Sequence, residues 1–161
     1  LSLNGLEGLA MAGDVAAGFA ATGQPRADWA VSNPPFFDDP AALRAPAQGK
    51  RDAWMADDGL GAWVDFLLAG VKDGGRIVMI HRADRLGDLL ALTGRKAGSF
   101  RVLPIHPYAE RPAKRVLVQA TRLGRAPLVL LPPLVLHDGS GGKHAARAEA
   151  ILRGFDAVNL S

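Results

Sequence analysis

The chain has 161 residues, 48% of them hydrophobic and 22% charged. That suits one globular domain, typically about 100–150 residues long, and excludes a wholly disordered polymer. It has no cysteine, which removes disulfides, thiolate zinc sites, iron–sulfur clusters and cysteine nucleophiles, and fits a reducing, cytoplasmic setting. The net charge of +3 conceals an asymmetry: residues 1–73 carry 5 Lys/Arg against 10 Asp/Glu, and residues 74–161 carry 14 against 6. A half at +8 implies a polyanionic partner, because clustered cations release counterions from phosphates. Arginine makes up 14 of the 19 basic residues in an Ala/Gly-rich chain, so genome base composition is the competing source of the charge.

Taken in chain order, the sequence opens on Leu1 rather than Met. "LSLNGLEGLAMAGDV" reads as a helix end running into a strand, which predicts further elements upstream. No signal peptide is visible there. Leu9 to Val15 is predicted as a short strand closing on "GD", and "GFAATGQPRAD" as loop. Trp29 to Ser32 is a short apolar strand that stops at "NPP", and a loop rich in Asp, Pro and Ala follows to about residue 57. Leu60, Trp63, Val64, Leu67 and Leu68 recur at helical spacing up to Gly70. Asp57 and Asp58 read as the cap of that helix.

After "DGG", the continuous run Arg76–His81 suits a strand buried on both faces. "RADRLGDLLALTG" is the next helix, and Phe100–Ile105 and Arg115–Thr121 are two further strands joined by a long connection. The longest apolar stretch, Ala126 to Leu136, is broken by three prolines and is too short for a membrane span of roughly 18 residues. A helix is predicted over about Lys143–Arg153. Strands alternating with helices, followed by two consecutive strands, predict a doubly wound, mostly parallel α/β sheet with an antiparallel strand at one edge.

The sharpest local feature is "AVSNPPFF". A buried strand ending in Asn33-Pro34-Pro35-Phe36 sets a rigid turn at the carboxyl end of the sheet, where open α/β sheets bind ligands. Consecutive prolines fix φ and remove donors, leaving carbonyls to accept. Asn33 adds an amide acceptor and donor, and Phe36 adds a flat apolar face. Acceptors beside an aromatic face suit a planar NH2 group. They hold the amine and stabilise its charge during attack on an electrophile. The plainer alternative is a strand-terminating turn.

"NPPF" after a short apolar strand resembles the signature of class I S-adenosylmethionine-dependent amino-methyltransferases. "KRVLVQATR" and "PLVLHDGSGGKHAARAEAIL" look most like the bacterial tRNA1(Val) adenine-N6 methyltransferases. The resemblance implies a Rossmann-like fold and S-adenosylmethionine as cofactor, with Asp14 and Asn33 contacting it. It implies methyl transfer to adenine N6 in tRNA or another structured RNA, with Asn33, Pro34, Pro35 and Phe36 as the catalytic set. Glutamine-amide and guanine-amine methylation are the alternatives within the class. A non-catalytic nucleic-acid-binding remnant is the alternative outside it.

The family's glycine-rich cofactor loop and the acidic residue after its second strand are absent. Residues 1–161 therefore read as the carboxyl-terminal two-thirds of one methyltransferase domain, inactive alone and prone to self-association through exposed sheet. Lys50, Arg51, Arg95, Lys96, Arg111, Lys114 and Arg115 are the candidate phosphate contacts, each set against an ordinary solvated charge. His81, His106, His137 and His144 are too scattered for a metal site, and no membrane partner is expected.

Overall fold

The computed structural model describes Gly5 and residues 7–34, 59–139 and 142–160. Its strands are β1 (Ala27–Ser32), β2 (Val71–Arg82), β3 (Ala97–His106), β4 (Arg115–Arg122), β5 (Val129–Leu130) and β6 (Leu134–Val135). Its helices are α1 (Leu60–Gly70), α2 (Leu86–Thr93) and α3 (Ala146–Leu152). The sheet order is β1-β2-β4-β3-β5, with β6 also paired to β3. β1 runs parallel to β2, and β5 and β6 parallel to β3, while β4 is antiparallel to both of its neighbours. The result is a mostly parallel, Rossmann-like sheet with flanking helices.

The antiparallel strand is present but is not at the edge. β4 sits between β2 and β3 and makes a ladder to each. The crossover through α2 carries the chain two strand positions beyond β2 before β3 begins, leaving one slot between them. The β3–β4 connection then turns back into that slot, where both rows of backbone groups find partners. The sequence of β4 fits an interior place: Val116, Val118, Gln119 and Ala120 are all buried.

α1 forms because its apolar residues recur at helical spacing, and Val64, Leu67 and Leu68 lie in the core with Ile77, Met79, Leu89, Val102 and Val118. Its N-cap is Gly59 in the left-handed region, while Asp57 and Asp58 lie outside the described residues. β2 is buried on both faces, as its unbroken apolar run predicts: Ile77, Val78 and Met79 are all buried. Arg122 ties α1 to the sheet by donating to the Leu68 carbonyl and to Asp73 Oδ1 at 2.8 Å.

Three sequence expectations are corrected. Leu9–Val15 is not a strand; residues 7–14 have no regular structure and Val15–Ala17 is a 3-10 turn. Strand-like composition cannot make a strand without a paired neighbour. The strand before Asn33 is not buried: β1 is exposed or half-buried along its length, while the proline-broken stretch yields the two-residue strands β5 and β6. The last helix is shorter than predicted, spanning Ala146–Leu152.

Among the described residues β1 is paired on one side only, with Val31 75% and Trp29 49% exposed. Arg76 lies over the Trp29 ring at 4.9 Å. The C-terminal Val158, Asn159 and Leu160 share a groove with these two residues and Gln119. No helix among the described residues is long and apolar enough to cross a membrane.

Candidate functional site

Parallel strands bring their carboxyl ends to one edge of the sheet, and an antiparallel strand contributes its amino end there. Across that edge the register sets Ser32 beside Met79, Arg82 beside Arg115, Ile105 beside Arg115, and His106 beside Val135. Asn33 follows β1 directly and is exposed, whereas Pro34 is fully buried. The Pro34 ring is packed away while Asn33 stays open to solvent. Pro35, Phe36, Lys50 and Arg51 lie outside the described residues.

Asp14 caps the 3-10 turn, its Oδ1 accepting from the Ala16 N–H at 2.9 Å. It also lines a cavity of about 620 Å³ whose walls include Leu9, Met11, Phe19 and Phe66. Phe19 and Phe66 meet edge to face at 5.6 Å. One carboxylate among apolar and aromatic walls suits a flat base that has an amine on its rim, as adenine does. Asn33 is not among the residues lining this cavity. Asp14 is legible in the sequence but the cavity is not, because its walls come from separate segments.

The candidate cations divide into two groups. Arg111, Lys114 and Arg115 lie in or beside the β3–β4 connection, at the same edge as Asn33. Lys114 and Arg115 line a groove of about 320 Å³ with Arg82, Asp84 and Ala113. Arg82 closes a fork on Asp84, with Nε donating to Oδ1 at 2.9 Å and Nη2 to Oδ2. That fork holds the Asp84 carboxyl below its ordinary range and the guanidinium above its own.

Arg95 and Lys96 are elsewhere. They precede β3, at its amino end, and ten residues of strand separate them from His106. At about 3.3 Å per residue that is about 30 Å, too far for them to join Arg111, Lys114 and Arg115 at one small site. Lys96 faces Asp65 at 3.8 Å instead.

The histidines are less dispersed than their sequence positions imply. His81 is buried on β2. His137 stacks on His144 with centroids 5.3 Å apart and planes at 22°, and Tyr108 lies 5.3 Å from His137. Among the described residues no group of three or more His, Asp or Glu side chains is placed to hold a metal ion.

No protein-family model matches the chain, and no curated protein matches it. Among solved structures it is similar to a predicted O-methyltransferase, protein Atu636 from Agrobacterium tumefaciens. The TM-score is 0.67 at 21% identity, over 86% of this chain and 58% of that one. A second similar structure, M1.HpyAVI in complex with SAM, has a TM-score of 0.42 at 9% identity, over 76% of this chain and 63% of that one. The chain thus spans 58% of the length of the first neighbour. At such an identity the likeness to the first is one of fold: a mostly parallel, Rossmann-like sheet with flanking helices.

Proposed function

We propose that this chain is part of an S-adenosylmethionine-dependent methyltransferase acting on an exocyclic amine, most favourably adenine N6 in tRNA or another structured RNA. The observation that carries the reading is Asn33 exposed beside buried Pro34 at the carboxyl end of β1. Open α/β sheets take their ligands at that edge. Asn33 Oδ1 and the Pro34 carbonyl accept from the target amine and stabilise the positive charge it gains on attack. The amine then gives its proton to water, and no side-chain base is required.

When bound, S-adenosylmethionine supplies the electrophilic methyl group. The Asp14 cavity fits its adenine, with the carboxylate accepting from the base and Phe19 and Phe66 among the walls. Target adenine within a duplex has to leave the stack to reach Asn33. The cations at the same edge favour RNA over a glutamine amide as the substrate.

The test is transfer of a labelled methyl group to tRNA by the complete protein, compared with its Asn33→Ala variant. The variant is expected to be about 100-fold slower or worse, comparable to losing an oxyanion-hole-type contact, with cofactor affinity little changed. Near-normal turnover in the variant removes Asn33 from the role. Label on a protein glutamine or on guanine instead of adenine identifies one of the alternative amines.

A further inference from the structure

The residues that follow β3 and β6 form a second feature at the carboxyl edge. Tyr108, His137 and His144 make a run of adjacent rings, Tyr108–His137 at 5.3 Å and His137–His144 at 5.3 Å. Their backbones are tied to one another and to the strands. Leu136 N–H donates to the His106 carbonyl at 2.8 Å, His137 N–H to the Pro107 carbonyl at 2.9 Å, and Ala145 N–H to the Leu136 carbonyl at 2.8 Å. Arg111 N–H donates to the Tyr108 carbonyl at 3.1 Å, and Lys114 N–H to the Ile105 carbonyl at 3.0 Å.

Two histidines fasten these loops through their rings. A carbonyl only accepts, so Nδ1 of His106 carries the proton it shares with the Arg111 carbonyl at 2.7 Å. By the same logic His137 Nδ1 donates to the Lys143 carbonyl at 2.7 Å. The His137 ring behind Tyr108 and the His106 ring beside it are therefore held in place before anything binds, which lowers the entropy lost on binding. The outer ring, Tyr108, is 46% exposed. Arg111, Lys114, Arg115 and Lys143 are exposed nearby in the chain, with Glu110 the only acid within 107–115.

We infer that Tyr108, backed by His137 and His144, is a stacking platform for an unpaired base of a single-stranded nucleic-acid segment. This rests on the RNA reading proposed above and assigns a binding surface outside the Asn33 site. Aromatic faces beside cations are how proteins hold single strands without reading their sequence, each stacked base adding to the phosphate contacts. The sheet sets the spacing between the two sites. Three strand steps separate β1 from β3, the strand that Tyr108 follows, and at about 4.8 Å each that is about 14 Å. A strand with bases stacked about 3.4 Å apart covers that distance in about four nucleotides. The groove holding Lys114 and Arg115 lies between, on β2 and β4.

The test is fluorescence anisotropy of the protein with a labelled, unstructured oligo(A), and with an abasic oligonucleotide of the same length. Tyr108→Ala is expected to weaken oligo(A) binding about 5-fold or more. Because no phosphate contact is lost, the slope of log affinity against log salt should stay unchanged. Tyr108→Phe should restore affinity, and Tyr108→Ala should not alter abasic binding. The platform is overturned if the wild-type protein does not bind oligo(A), or if it holds the abasic strand equally well. It is overturned too if Tyr108→Ala matches the wild type, or if Tyr108→Phe is as weak as Tyr108→Ala. Oligo(A) binding that depends on Tyr108, in a protein that methylates no RNA, would keep the platform and remove the proposed reaction.

Discussion

Gly98→Ala is the substitution whose cost the structure defines best. Gly98 lies in β3 opposite Thr121, beside the register shift between Gly98 and Arg101. A Cβ placed there sits 2.3 Å from the Gly124 carbonyl oxygen. Ordinary contact therefore requires the two backbones to part by about 1 Å, and neither side is loose. Gly124 N–H donates to the Thr121 carbonyl at 2.9 Å and Leu123 N–H to the Lys96 carbonyl at 3.0 Å. Ser99 Oγ accepts from Ala126 N–H at 2.9 Å. Ser99 and Leu123 already occupy positive φ, at 52° and 59°.

Overpacking of this kind costs about 1–3 kcal/mol, and a stretched hydrogen bond adds about 0.5–1.5 kcal/mol. The variant should thus be about 2–4 kcal/mol less stable. At about 2–4 °C per kcal/mol for a chain of this size, Tm falls by about 4–16 °C. Urea denaturation should show a lower midpoint with an unchanged m-value. Gly87→Ala is the control, since nothing lies within 4 Å of its Cβ position and its φ is not positive. It lies in α2 and should gain about 0.4–1 kcal/mol by restricting the unfolded chain. A Gly98→Ala protein melting within about 2 °C of the wild type, or both substitutions shifting Tm equally, would refute the argument.

The two cation groups should separate in salt titrations of tRNA affinity. Neutralising Arg111, Lys114 and Arg115 to Gln should shallow the slope by about 0.7 for each true contact, and Arg95→Gln with Lys96→Gln should leave it unchanged. An equal effect from the second pair would contradict the strand-length separation. The Arg82–Asp84 fork is open to NMR titration. The Asp84 midpoint should fall below the ordinary 3.8, and Arg82→Gln should bring it back. Because the folded-state value is depressed, the fork's contribution to stability is present above the ordinary carboxylate range. It is lost as pH falls through the depressed value. A wild-type midpoint at the ordinary value would mean that the fork does not form in solution.

Features that depend on neighbours along the chain were legible in the sequence. Leu60 to Gly70 makes an amphipathic helix because its spacing matches the helical turn, and the apolar run before His81 makes a strand covered on both faces. The end of β1 at Ser32 was legible too, since a proline offers no backbone donor to continue a ladder. Which strands pair was not legible, because ladder partners are distant in sequence and only assembly of the sheet selects them. Composition therefore suggests a strand at Leu9–Val15 that finds no partner, and does not reveal that β4 enters the slot between β2 and β3. The candidate surface divides in the same way. One basic run in the sequence holds both Arg95 and Arg115, yet the length of β3 carries them to opposite edges. Tyr108, His137 and His144 look unrelated until the parallel pairing of β6 with β3 brings their loops side by side.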